Sequence, residues 1–153
     1  MSTLSQFTGG GVTTSIVNGY EAGGLSGATG LAVGKEALSG ALTANTFATI
    51  AALNISGSGE VPMLACYSKD ATSRTLRMRV TVDGVVVFNP AASAAITAAN
   101  AGLYAAGEYK QVSPSNWFGP SLPIRFSSSL LVEVASSLTE TDKVAVGYIL
   151  HRT

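Results

Sequence analysis

At 153 residues the chain is long enough for one domain with a sizeable core and a tail or arm. Only 12% of it is charged, nine basic residues against nine acidic, so the net charge is zero where about a quarter charged is usual. That balance argues against a partner gripped by bulk charge, nucleic acid above all, and favours a molecule that associates with its neighbours.

Residues 1–35 are punctuated by Gly9, Gly10, Gly11, Gly19, Gly23, Gly24, Gly27, Gly30 and Gly34. Glycine at that density is costly to order and suits neither helix nor regular strand. Within it the island Val12–Val17 is able to pair as a strand, and Phe7, Ile16, Val17, Tyr20, Leu25 and Leu31 are too apolar for a disordered tail. The expectation is an extended N-terminal arm over 1–35 that gains order by lying on a neighbour, with Phe7, Ile16, Val17, Tyr20 and Leu25 as its contact residues. The opening Met1-Ser2-Thr3-Leu4-Ser5-Gln6-Phe7 has no basic region and no apolar run of the secretory kind, which predicts folding in a cytoplasm. No stretch reaches the roughly 18 uninterrupted apolar residues of a membrane span, so no insertion is expected.

Residues 36–153 form the second unit, and their pattern is that of strands. Thr46–Ser56 is β-rich and ends at the turn Gly57-Ser58-Gly59; Glu60–Ser68 is the next apolar run, and Lys69–Ser73 a polar loop. Leu76, Met78, Val80 and Val82 alternate with Arg77, Arg79, Thr81 and Asp83, the period of a strand with one dry and one wet face. Asp83-Gly84 is a hairpin turn, Val85–Phe88 the returning strand, and Asn89-Pro90 its end. The alanine-rich stretch 91–107 reads equally as a short helix or an irregular excursion, because Gly102 and the missing apolar stripe weaken the helix. A loop over 113–120 carries the lone tryptophan, Leu122–Phe126 leads into a strand over Ser129–Ala135, Ser136–Asp142 is a polar turn, and Lys143–His151 is a further strand. Seven or eight strands with short turns read as an all-β chain, an antiparallel β-sandwich of jelly-roll-like kind behind a Gly-rich arm.

The residues that carry chemistry are few. Cys66, the lone cysteine, lies in an apolar run and reads as a small buried hydrophobe. His151, the lone histidine, has no Gly-x-Ser-x-Gly elbow to serve and no companions at metal-ligand spacing. Glu133 with Glu60 or Asp83 is the one carboxylate pairing that a sheet could bring together for glycoside hydrolysis, and nothing selects it. Gly30–Lys35 lacks the spacing of a phosphate loop. No cofactor or metal is expected, and the chain reads as a non-enzyme. Arg77 and Arg79 share a strand face near Arg74; this basic cluster reads as a solvated face or as salt bridges to a neighbouring subunit, since no aromatics are interleaved for nucleic acid. Trp117 and Phe118 sit in a loop flanked by Pro and Gly, suited to an interface, to stacking on a sugar, or to tucking back on the core.

Some strand-and-turn segments have a familiar order. They are Leu42-Thr43-Ala44-Asn45-Thr46-Phe47, Ser56-Gly57-Ser58-Gly59-Glu60-Val61, Asp70 to Gly84, Leu122 to Leu130, and the strand around Tyr148. With these, the stretch from Ala41 to Ile149 is similar to small β-sandwich structural proteins of tailed bacteriophages, and Ser15–Tyr20 resembles the attachment arm ahead of such modules. The resemblance implies a virion component of the tail, fibre or baseplate, and brings no catalytic residues. On that reading the chain is made in the host cytoplasm and ends in the virion. There it forms a homo-oligomer, a trimer, and docks to other virion proteins through the arm. Two alternatives stand beside it: a decoration protein of the capsid head, and a carbohydrate-binding module that meets a host surface glycan through Trp117, Phe118 and Tyr104 or Tyr109.

Overall fold

The computed structural model describes residues 14–17, 20–23, 35–106 and 123–153. Among these the chain forms strands and no helix. In chain order they are β1 (Thr14–Val17), β2 (Tyr20–Gly23), β3 (Lys35–Leu38), β4 (Ala41–Leu42), β5 (Ala48–Ser56), β6 (Gly59–Ser68), β7 (Leu76–Val82), β8 (Val85–Phe88), β9 (Gly102–Ala106), β10 (Ile124–Phe126), β11 (Ser129–Ser136), β12 (Glu140–Thr141) and β13 (Val144–Arg152).

They pair antiparallel throughout. The larger sheet runs β1-β2-β13-β6-β10, with β3 also on β13 and β9 also on β6; the smaller runs β5-β11-β7-β8; β4 and β12 form a two-stranded ribbon. The two sheets close on one core. Ile50, Leu53 and Ile55 of β5, Leu76, Met78 and Val80 of β7, and Leu130, Val132 and Val134 of β11 face Val61, Leu64 and Cys66 of β6 and Val144, Val146, Tyr148 and Leu150 of β13. The all-β, sandwich-like architecture expected from the alternating pattern is therefore present. The alternation is physical: where one sheet face is dry and the other wet, every second residue must be apolar.

The larger sheet is buried on its second face as well. Ala65, Tyr67 and Ala145 form a separate buried cluster there. Small residues make room for the Tyr67 ring to lie across β13: a Cβ added at Gly147 would sit 3.2 Å from Tyr67 Cε1. Its hydroxyl donates to the Glu36 carboxylate on β3, which also accepts from Lys69 Nζ at 2.8 and 2.9 Å. The ring thus laces β6 to β3 over the top of β13.

Three features refine the reading of the sequence. The expected boundary between residues 35 and 36 falls inside β3, which pairs with β13 from Ala145 to Tyr148. The described part of the front segment is also paired within the chain: β1 and β2 form a hairpin whose Tyr20 and Glu21 register with His151 and Leu150. Of the two readings of residues 91–107 the described part follows the irregular excursion, through a bridge between Ile96 and Arg74, and then adds β9 against β6.

Candidate assembly surface

The hairpin of β7 and β8 is built by its turn. Asp83 and Gly84 both take positive φ, 49° and 81°, the left-handed pair whose twist matches that of the flanking strands. The Asp83 carboxylate then does a second job. It accepts the backbone N–H groups of Ser127 (2.9 and 3.0 Å), Ser128 (2.7 Å) and Ser129 (2.9 Å) and the Ser128 hydroxyl (3.0 Å), while its own N–H donates to Ser129 O at 2.9 Å. One side chain thereby fastens the tip of this hairpin to the turn between β10 and β11. These amide bonds favour the charged form and lower the Asp83 pKa from 3.8 to about 2. Asp70 is lowered to about 2 as well, chiefly by its hydrogen bond from Arg74 and then by the Thr72 amide.

A carboxylate held below its unfolded value stabilises the fold above that value and stops doing so as pH falls through the folded one. Stability is therefore expected to decline between about pH 4 and pH 2, the window set by the two lowered carboxylates. Asp83→Asn should lower Tm at pH 7 and flatten that decline, leaving the Asp70 share, in thermal melts taken across the range. An unchanged acid profile would remove Asp83 from this role.

Beyond the turn, β8 is an edge with its apolar side chains in water. Val85, Val86 and Val87 are 63%, 51% and 54% exposed. In the facing sheet β9 pairs with β6 at Leu64–Tyr67 and β10 pairs with it at Gly59–Val61. A cavity of about 300 Å³ opens at that place, lined by Val82, Val87, Phe88, Ala105, Ile124 and Arg125. The strand carries no charge and no proline, and the one edge-blunting device in its pairing with β7 is a register shift between Val80 and Thr81. The opposite edge of the same sheet, β5, is nine residues long, Ala48–Ser56, and equally uncharged.

The arginines named from the sequence part company. Arg74 is buried at 2% exposure, with Nη2 2.7 Å from Asp70 Oδ1 and 3.0 Å from Glu140 Oε2; its partners lie within the chain. Arg79 grips Glu133 with two bonds, 2.6 and 2.8 Å. Arg77 and Arg79 both stack on the Phe47 ring, 4.8 and 4.3 Å from its centroid, and Arg77 Nη2 donates to Asn89 Oδ1 at 3.3 Å. Arg74 and Arg79 thus have acidic partners within the chain, and Arg77 has Phe47 and Asn89. An aromatic does accompany the basic pair after all, from the loop ahead of β5, which the strand pattern gives no way to see.

The other candidates disperse. Glu133 faces Arg79 on the smaller sheet, Asp83 faces the Ser127–Ser129 amides, and Glu60 lies on the larger sheet near Arg125 (3.3 Å) and His151 (3.8 Å). Cys66 is fully buried, and burial pushes its thiol up to about 12, so it packs as a hydrophobe. Among the described residues no three His, Cys, Asp or Glu side chains gather around one point, and no helix is long and apolar enough to cross a membrane. Ile16, Val17 and Tyr20 fall in β1 and β2; Phe7, Leu25, Tyr109, Trp117 and Phe118 lie outside the described residues. The sequence reading takes the valines of β8 only as a returning strand.

No family model, curated protein or solved structure matches the chain.

Proposed function

We propose that the chain is a non-enzymatic structural component of a bacteriophage virion, in the tail, fibre or baseplate, that works by self-assembly and by docking to neighbouring virion proteins. The observation that carries this reading is the smaller sheet, both of whose edges, β5 and β8, are free of charge, with three valines exposed along β8. Such edges are hazards in a solitary domain and are useful where strands or faces are meant to meet. The ionisable groups support the same view, because Arg74, Arg79 and Asp83 are occupied in holding hairpins and loops together. The strand-and-turn resemblance to phage β-sandwich proteins supplies the setting, and a jelly-roll course with an attachment arm belongs to the same proposal.

The test is biochemical. An antibody to the chain should label purified particles, and labelling of separated tails and heads should favour tails; label on heads alone would move the protein to a decoration role, and none on either would end the virion reading. Deleting residues 1–34 removes β1 and β2 but leaves β13 paired with both β3 and β6. That truncation is expected to stay folded by circular dichroism and to be lost from particles. Normal incorporation would count against an attachment arm.

A further inference from the structure

We infer that β8 is a self-pairing edge, at which two copies of this chain join antiparallel about a twofold axis through Val86. This pairing rests on the self-assembly part of the proposal above and names its surface.

The register of the hairpin decides which backbone groups are free. Val82 pairs with Val85 across the two-residue turn, and residues flanking such a turn exchange hydrogen bonds. Thr81 and Val86 are the next pair, so Val86 directs its own N–H and C=O away from β7, toward the open side. The register with β7 then shifts, Phe88 lying opposite Val80 and Val87 outside the ladder, so the regular edge ends at Val86; a second copy brought antiparallel to it sets Val86 against Val86 and turns Asp83 toward the partner's Asn89 end.

The charges favour this arrangement over the parallel one. An acid, Asp83, stands ahead of β8, its carboxylate bonded to the Ser127–Ser129 amides but still charged, and a base, Arg77, reaches the far end of β8 through Asn89. Antiparallel pairing brings each acid toward the partner's base twice over, whereas parallel pairing would set like against like. Between these ends the strand itself is neutral and apolar, with Arg125 beside Val87 and Phe88 at the cavity. The contact is small against the roughly 800 Å² per partner of a stable dimer. It is therefore weak for one pair and gains strength when repeated in an assembly.

The experiment uses the full chain. With Val86→Cys, mild oxidation should yield a disulfide-linked dimer, since residues opposed in such a pair have Cα atoms about 5.5 Å apart, within disulfide reach, and Cys66 is buried. In sedimentation runs over a concentration series, Val86→Asp should weaken self-association at least about tenfold by setting two carboxylates face to face. Val86→Thr, which keeps the branched shape, should retain it. Oligomers that persist in Val86→Asp, with no cross-link in Val86→Cys, would overturn the β8 surface while leaving self-assembly standing. A strictly monomeric wild type would overturn the inference, and particle labelling would still judge the virion assignment separately. If the thiol introduced by Val86→Cys is shielded from maleimide in the uncross-linked monomer, the chain covers β8 itself, which also overturns it.

Discussion

Arg74→Met is expected to destabilise the fold by about 3–5 kcal/mol in urea unfolding, the cost of stranding a buried charge by removing its partner. Arg74 sits just ahead of β7, where its backbone bridges Ile96 in both directions, N–H to O at 3.1 Å and O from N–H at 2.7 Å. Its guanidinium is the hub of one end of the sandwich. Nε donates to Glu140 at 3.1 Å, Nη1 to the Ser68 hydroxyl, and Nη2 to Asp70 at 2.7 Å. The Glu140 side chain is itself only 9% exposed, and its other oxygen accepts from Ser136 Oγ at 2.5 Å. Methionine fills the stem's volume but takes away the cation that neutralises Glu140. The double variant Arg74→Met, Glu140→Gln should therefore regain much of the loss, because it removes the stranded charge, and the double-mutant cycle measures their coupling. A single variant within about 1 kcal/mol of wild type would mean that Glu140 reaches water easily, and that the network does not hold this end shut.

Gly102→Ala should cost about 3 kcal/mol, at the upper end for overpacking. A Cβ there would lie 1.8 Å from Cys66 O and 2.6 Å from Tyr67 Cα, both backbone atoms of β6. Neither is able to swing aside as a side chain would, so β9 must lift from its register of Gly102 opposite Tyr67. Gly59→Ala meets His151 O at 2.3 Å and should follow; Gly147→Ala meets only the edge of the Tyr67 ring at 3.2 Å and should cost least. Thermal melts of the three variants test the order. Finding Gly147→Ala the worst would show that the ring is held more rigidly than the β6 backbone.

What the sequence makes legible follows from how each strand is stabilised. β7, β11 and β13 announce themselves because their own side chains alternate: Leu76, Met78 and Val80, then Leu130, Val132 and Val134, then Val144, Val146, Tyr148 and Leu150 are all buried on one face. β3, β4, β9 and β12 carry no such signal. Lys35–Leu38 and Gly102–Ala106 become strands because β13 and β6 offer them backbone partners, which is tertiary context rather than propensity. Gly102 shows the difference sharply. In the sequence it weakens a helix; in the fold it is the residue that lets β9 approach β6. Asp83-Gly84 is readable as a turn, yet the Ser127–Ser129 amides that the Asp83 carboxylate gathers lie more than forty residues away. Arg74 is visible as a charge near other charges. That its partners are Asp70 and Glu140 depends on how the ribbon of β4 and β12 folds over, which local spacing does not encode.

The pairing of β13 with both β2 and β3 has a consequence for how the protein is made. Residues 20–23 and 35–38 have no β13 ladder to join until residues 144–152 leave the ribosome. At about 5–20 residues per second that is a wait on the order of ten seconds. Throughout it the smaller sheet is able to close, since β5, β7, β8 and β11 all precede β13 in the chain, while half of the larger one stays open. A nascent chain stalled before residue 144 would present β6 with the side that β13 covers still bare, an apolar template ten residues long, and chaperone capture should peak at that length.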